Sequence, residues 1–233
     1  MRERRQARPT APDELRQTRP AIGPVPCCVR RGKIDPMAGR RRSGSQSISV
    51  ALLATTLAIS AEPSRAETLE DKVQLCAACH GENGVPQDHL TPVIWGQTEG
   101  YLYLQLRDYK RGSRKNASMS AVVETLERDD MLALAAYFSQ RRWPDLQQQA
   151  APEAVAATAL RANISIGCTS CHLDQYQGAG TAPRLAGQIR EYLAQTMLEF
   201  RARTRGNNPG MSDLMNAASE GDLAALAQFL AGL

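Results

Sequence analysis

The chain has 233 residues, of which 42% are hydrophobic and 22% are charged, a composition typical of a folded globular protein and not of a disordered or collagen-like chain. The formal net charge of +4 is uneven, because residues 1–66 hold 13 of the 28 Lys and Arg but only 5 of the 24 Asp and Glu. Residues 67–233 therefore carry −4, which removes the electrostatic basis for binding nucleic acid.

The first predicted element is a signal peptide at residues 37–66. Three arginines at 40–42 precede an apolar stretch at 48–59, and small residues lead to a predicted cleavage site after Ala66. The pattern predicts export to the periplasm. The apolar stretch is too short to span a bilayer, so membrane contact is expected to be peripheral at most, with an uncleaved anchor as the alternative.

Residues 1–36 have no place in a signal peptide, and we expect them to be a non-native or disordered extension. Met37 would open a conventional signal, and it is therefore the expected natural start. Cys27 and Cys28 would then be absent from the exported protein.

An internal repeat organises the remaining chain. The sequence Cys-Xaa-Xaa-Cys-His occurs at Cys76–His80 and again at Cys168–His172, 92 residues later. With the same offset, residues 119–138 align without a gap on residues 211–230. This pattern predicts a tandem duplication of one unit of about 80 residues.

The repeat sets the predicted domain organisation. We expect a first domain at residues 67–141, a linker at 142–151 and a second domain at 152–233. With a slip of one residue, Pro92–Gln97 aligns on Pro183–Gln188, and this match extends the repeat through the middle of each domain.

Each repeat is predicted to be helical throughout. A helix begins near Thr68, which has capping-box spacing to Asp71, and its equivalent begins near Pro152; both run into the cysteine motifs. Loops at Gly81–Gln97 and Gly178–Gln188 contain the breakers expected of irregular segments. Middle helices are predicted over residues 98–111 and 189–203.

An amphipathic helix closes each repeat, and no segment alternates like a β-strand, so the predicted fold class is all-α. The apolar stripe of this last helix in the first repeat consists of Leu126, Met131, Leu134, Ala135 and Phe138.

The paired motifs are the attachment sequence of c-type haem. On a helix, positions i, i+3 and i+4 share one face, so two thiols can bond the porphyrin while the imidazole faces the iron. The predicted attachment residues are Cys76, Cys79, Cys168 and Cys171. His80 and His172 are the predicted iron ligands on one side.

Three other uses of the cysteines are open but weaker. A structural zinc site usually has its cysteine pairs much closer together in sequence. A disulfide framework suits an oxidising compartment, and a thioredoxin-like motif needs a βαβ setting that this sequence lacks.

The opposite side of each iron needs a second ligand, and methionine is the candidate. Met131, Met197 and Met215 align with other apolar residues, so they are predicted to be core residues. Met119 aligns with Met211, so this position is Met in both copies. Each lies 43 residues after the first Cys of its motif and in a predicted loop. They are the predicted ligands, with core packing as the alternative.

His89 has no counterpart in the second repeat, and we expect it to be exposed in a loop.

A His and Met pair leaves no open position on iron, which favours outer-sphere electron transfer over catalysis. We therefore expect an electron carrier and not an enzyme.

These motifs resemble the dihaem cytochrome c4 family, which is built from two tandem class I cytochrome c domains, each wrapped around a covalent haem. The resemblance covers nearly all of residues 67–233. It implies that the carbonyls of Pro92 and Pro183 accept hydrogen bonds from His80 and His172. It also implies two haems with their propionate edges close together across a pseudo-twofold interface.

The two haem surroundings are expected to differ. Val93 and Trp95 of the first repeat stand where the second has Arg184 and Ala186, so unequal reduction potentials are predicted. Basic residues near the middle helices are expected to be solvated or to hold propionates, with steering of a partner as the alternative. They are Arg107, Lys110, Arg111, Arg114, Arg201, Arg203 and Arg205.

The resemblance implies a periplasmic carrier of single electrons between respiratory partners, such as a terminal oxidase, a quinol-oxidising complex or a periplasmic dehydrogenase. The alternative function is the dihaem subunit of a dehydrogenase complex such as flavocytochrome c sulfide dehydrogenase. A dihaem peroxidase or thiosulfate oxidase would need an open or differently ligated iron, which the paired methionines disfavour.

Overall fold

A computed structural model describes residues 67–233 of the chain. The predicted extension at 1–36 and the predicted signal peptide at 37–66 lie outside the described residues. Within the described part, none of the helices has the length and apolar character needed to cross a membrane.

Four helices form from the first repeat: α1 (Leu69–His80), α2 (Glu99–Lys110), α3 (Ala117–Glu124) and α4 (Arg128–Ser139). The predicted capping box is confirmed at the start of α1. Thr68 Oγ1 accepts a hydrogen bond from the Asp71 amide at 3.2 Å, and Asp71 Oδ2 accepts one from the Thr68 amide at 2.9 Å. These reciprocal bonds satisfy amides that have no partner within the helix.

Five helices form from the second repeat: α5 (Glu153–Ile166), α6 (Thr169–His172), α7 (Arg190–Arg201), α8 (Pro209–Ala217) and α9 (Glu220–Ala231). Residues 67–233 contain no β-strand, and a lone antiparallel bridge joins Ala179 to Ala182. The all-α class is confirmed.

The two cysteine motifs lie on differently built helices. The prediction that one helix runs into the motif is right for α1, which includes all of Cys76–His80. It is wrong for the second repeat, where Gly167 adopts φ 80° and ψ 33° and ends α5 before the motif. Left-handed backbone of this kind favours glycine, and the aligned residue in α1 is Leu75, which continues the helix.

Each repeat has its own apolar core. In the first, α4 packs on α1 and α2, and all five residues of the predicted apolar stripe are buried. The stripe was predicted to lie on the last helix, but Leu126 comes before α4 begins. In the second, α9 packs on α5 and α7 around Leu223, Leu226 and Leu230. The short helix α3 packs on α2, and α8 packs on α7. Cys76 packs against the first core and Cys168 against the second, so each motif has one side toward an apolar interior.

Candidate functional site

The cysteine and histidine side chains of each motif share one stretch of helical backbone. In α1, Cys76 is half-buried, Cys79 is exposed and His80 is buried. In the second repeat, Cys168 caps α6 with helical dihedral angles of −54° and −41°, so Cys171 and His172 follow at the same spacing. Each repeat therefore presents two thiols and one imidazole from one helical turn, as covalent haem attachment requires.

No disulfide bond joins the four described cysteines, Cys76, Cys79, Cys168 and Cys171. Burial raises the pKa of Cys76 to about 11, and burial also raises the pKa of Cys168. A redox-active cysteine needs a lowered pKa, so Cys76 and Cys168 do not fit the reactive position of a thioredoxin-like motif. Among residues 67–233, no three His, Cys, Asp or Glu side chains gather into a metal-binding group.

Both motif histidines are oriented by a backbone carbonyl. His80 Nδ1 lies 2.8 Å from the Pro92 carbonyl oxygen, and His172 Nδ1 lies 2.8 Å from the Pro183 carbonyl oxygen. Because a carbonyl only accepts hydrogen bonds, Nδ1 must carry the proton in each ring. The lone pair is then left on Nε2, the atom available to a metal.

Burial keeps both imidazoles neutral. It lowers the pKa of His80 and of His172, and the hydrogen bonds to Pro92 and Pro183 oppose that change only in part. A neutral imidazole is the form that binds iron, so the surroundings of each ring fit a ligand.

The two predicted methionine ligands lie in helices and not in loops. Met119 is in the first turn of α3 and Met211 in the first turn of α8. The Asn116 and Asn208 side chains cap these helices by accepting hydrogen bonds from the Met119 and Met211 amides at 3.0 and 3.2 Å. The loop prediction was wrong because asparagine is favoured both in turns and at helix N-caps, so its presence does not distinguish a loop from the start of a helix.

The structure brings each methionine to the same core as its motif. Met119 and Cys76 both pack against the first apolar core, and Met211 and Cys168 both pack against the second. Both methionines are partly buried. His89 is exposed in the loop after α1, as predicted.

A polar cluster lies between the repeats. Its arginines are among the basic residues expected to be solvated or to hold propionates, whereas nothing in the sequence pattern assigned its tyrosines to a site. Arg114 of the first repeat donates to the Tyr192 hydroxyl at 3.1 Å, and Arg205 of the second donates to the Tyr101 hydroxyl at 3.2 Å. In the repeat, Arg114 aligns with Arg205 and Tyr101 aligns with Tyr192. Their equivalence is the pattern that points to a shared role.

This cluster has an excess of positive charge. Arg114 and Arg205 are both buried, and Arg205 Nη1 has no hydrogen-bond partner. Burial raises the pKa of Tyr192, but the two guanidiniums outweigh burial and lower it to about 7. Asp108 is a buried acid beside the cluster, and it is already paired with Arg107. A buried guanidinium with an unpartnered nitrogen fits the carboxylate of a porphyrin.

An all-α protein with two such motifs, each with a carbonyl-oriented neutral imidazole, is a dihaem c-type cytochrome. The chain is 32% identical to cytochrome c4 of Pseudomonas aeruginosa, over 70% of this chain and 85% of that protein. It therefore belongs to the cytochrome c4 family, carries two covalent haem c groups and functions as an electron carrier and not as an enzyme.

Two further comparisons extend this assignment. The crystal structure of reduced cytochrome c4 from Pseudomonas stutzeri superposes with a TM-score of 0.62 at 29% identity, covering 72% of this chain and 100% of that chain. A thiosulfate dehydrogenase electron acceptor of Stutzerimonas stutzeri is 32% identical over 68% of this chain and 78% of that protein. No model of a known protein family matches the chain.

Proposed function

We propose that this cytochrome is a periplasmic carrier of single electrons whose two irons are ligated by His80 with Met119 and by His172 with Met211. Each pair would belong to one domain, at residues 67–141 and 152–233. The observation that carries the ligand proposal is the hydrogen bond from each histidine Nδ1 to a proline carbonyl, which leaves Nε2 free.

The side chains around each site would bind and orient the cofactor. Cys76 and Cys79 would hold one haem by thioether bonds, and Cys168 and Cys171 would hold the other. Arg114 and Arg205 would pair with propionates between the repeats. When bound, haem supplies an iron that alternates between ferrous and ferric states.

In electron transfer, the polypeptide would hold the iron ligands in position. Pro92 and Pro183 fix the histidine rings, while the capped turns at Asn116 and Asn208 hold the methionines. With one His and one Met as its ligands, each iron would have no position for oxygen or peroxide. Location in the periplasm rests on the signal peptide predicted at residues 37–66.

A dehydrogenase is the partner that the comparisons favour. Two relatives carry the description thiosulfate dehydrogenase electron acceptor. We infer that this protein accepts electrons from a periplasmic dehydrogenase and passes them to a terminal oxidase. The alternative is a permanent dihaem subunit of a dehydrogenase such as flavocytochrome c sulfide dehydrogenase, and a stoichiometric flavin in the native purified protein would establish that alternative.

The ligand proposal is tested by Met119→Ala and Met211→Ala in the exported dihaem protein. Each substitution is expected to remove about half of the methionine-to-iron charge-transfer band of the oxidised spectrum, since each removes one of two thioethers. Met131→Ala and Met215→Ala are the matched controls, because these buried methionines belong to the cores. A full band in either ligand variant would contradict that ligand.

A further inference from the structure

Two buried glutamines connect the repeats by pairs of hydrogen bonds to backbone. Gln188 of the second repeat accepts from the Val93 amide at 2.9 Å and donates to the Val93 carbonyl at 3.0 Å. Gln97 of the first repeat accepts from the Arg184 amide at 2.7 Å and donates to the Arg184 carbonyl at 3.0 Å. Gln97 and Gln188 are each only 3% exposed.

The orientation of each glutamine amide is set by its partners. Gln188 Oε1 also accepts from the Ile189 amide at 2.9 Å, and Gln97 Oε1 accepts from the Thr98 amide at 2.9 Å. An amide N–H can only donate, so Oε1 must face these nitrogens in both residues. In both glutamines, Oε1 therefore accepts from a backbone amide of the opposite repeat and Nε2 donates to a backbone carbonyl there.

The glutamines reach the peptide groups that orient the iron-binding histidines. The Val93 amide and the Pro92 carbonyl belong to one peptide unit, and that carbonyl accepts from His80. The Arg184 amide and the Pro183 carbonyl form the equivalent unit, which accepts from His172. Each histidine is therefore connected through a single peptide group to a glutamine of the other repeat.

Hydrogen bonds in such a chain strengthen one another. A peptide group whose N–H donates becomes more polarised, and its carbonyl oxygen becomes a better acceptor. The Oε1 of Gln188 therefore strengthens the bond from His80 to Pro92, and the Oε1 of Gln97 strengthens the bond from His172 to Pro183. The second hydrogen bond of each glutamine, from Nε2 to the Val93 or Arg184 carbonyl, restrains the next peptide group along the chain.

We propose that Gln188 and Gln97 are positioning residues, each of which tunes the proximal histidine of the opposite repeat through that shared peptide group. This proposal rests on the proposed function, in which His80 and His172 bind iron. A stronger acceptor at Nδ1 makes the imidazole more basic, and a more basic ligand favours ferric iron. Each glutamine therefore lowers the reduction potential of the haem in the other repeat.

The test is a pair of substitutions, Gln188→Leu and Gln97→Leu, in the exported dihaem protein. In Gln188→Leu, the NMR resonance of the His80 Nδ1 proton in the reduced protein is expected to move upfield, and the potential of the haem bound at Cys76 and Cys79 to rise. His172 and its haem are expected to stay unchanged. Gln97→Leu is expected to give the reverse pattern.

The two variants are controls for each other, since a general loosening of the interface would move both haems in both proteins. Gln148→Leu is a third control, because Gln148 donates to the carbonyls of Gly187 and Gln188 without touching either proline peptide. It is expected to move neither histidine resonance. If leucine prevents haem assembly, Gln188→Ala and Gln97→Ala provide the same readout with less steric demand.

Unchanged Nδ1 resonances and unchanged potentials in both glutamine variants would overturn the proposal, and so would a shift confined to the haem of the same repeat. The ligand assignment is checked separately with His80→Ala and His172→Ala, which are expected to abolish low-spin His/Met spectra in one haem each. If those spectra survive, the proposed function fails, whatever the glutamine variants show.

Discussion

At the scale of single residues, the two haem surroundings differ beside the proline carbonyls. Val93 is buried, whereas the Arg184 guanidinium lies 4.7 Å over the Trp143 ring and donates to the Ala186 carbonyl at 3.0 Å. The positive charge of Arg184 therefore lies against Trp143, in the predicted linker between the repeats. An apolar side chain in one repeat and a cation in the other supply a physical reason for the unequal potentials that the sequence predicts.

Gly81, which follows His80, is expected to tolerate no side chain. Its φ is 87°, and a Cβ would lie 2.1 Å from the Val85 carbonyl oxygen. Gly81→Ala should therefore cost more than the ~1 to 2 kcal/mol that left-handed backbone alone imposes on a side chain. Gly112→Ala is the control, since its φ is 72° with open space around it. Denaturant unfolding of the holoprotein measures both, and equal losses of stability would contradict the steric argument.

At the scale of helices, α1 is tied to α4 by an ion pair as well as by apolar packing. Lys72 Nζ lies 2.5 Å from Asp130 Oδ1, and the Glu127 amide donates to Asp130 Oδ2 at 3.0 Å. Asp130 therefore caps α4 and holds α1, the helix that carries the first motif. The Lys72 ammonium, together with the Glu127 amide, holds the pKa of the Asp130 carboxyl below its usual range.

A depressed carboxyl pKa predicts a loss of stability in acid. The stabilisation is fully present above the unfolded pKa of about 3.9 and is lost as pH falls through the lower folded value. Lys72→Met is expected to raise the Asp130 pKa and to flatten this part of the stability profile. NMR titration of Asp130 and unfolding as a function of pH provide the measurements. Asp129→Asn, an exposed neighbour, should leave the profile unchanged.

At the scale of the whole molecule, the repeats are joined by polar groups and not by a shared apolar core. The two cores contain no residue in common, and the contacts between repeats include Arg114 with Tyr192 and Arg205 with Tyr101. Polar contacts of this kind depend on exact hydrogen-bond geometry, so they fix the relative position of the repeats more strictly than apolar packing does.

Tyr101→Phe is expected to weaken this interface. The substitution leaves Arg205 without the hydroxyl it contacts, and losing a bond to a charged group costs about 1.5 to 3 kcal/mol. Tyr103→Phe, two residues along α2, should change the free energy of unfolding by about 0.5 kcal/mol or less. Denaturant unfolding of both holoproteins provides the comparison, and indistinguishable midpoints would show that the tyrosine bond contributes nothing.

Local features of this protein were open to prediction from the sequence alone. The cysteine spacing, the capping box at Thr68 and the apolar stripe of α4 depend on residues within a few positions of one another, and helical periodicity relates them directly. The internal repeat added the equivalence of Met119 with Met211. The break at Gly167 and the helical setting of the methionines were missed because glycine and asparagine also occur in loops.

The contacts between repeats were decided only by the tertiary structure. Gln188 reaches Val93, 95 residues away along the chain, and Arg205 reaches Tyr101, 104 residues away. Nothing in the spacing of these residues specifies that they meet, because long-range pairs depend on how two separately packed cores dock. The sequence by itself predicted which groups attach and ligate two haems, and the docking of the cores decided that a glutamine of the opposite repeat contacts the peptide group that each motif histidine contacts.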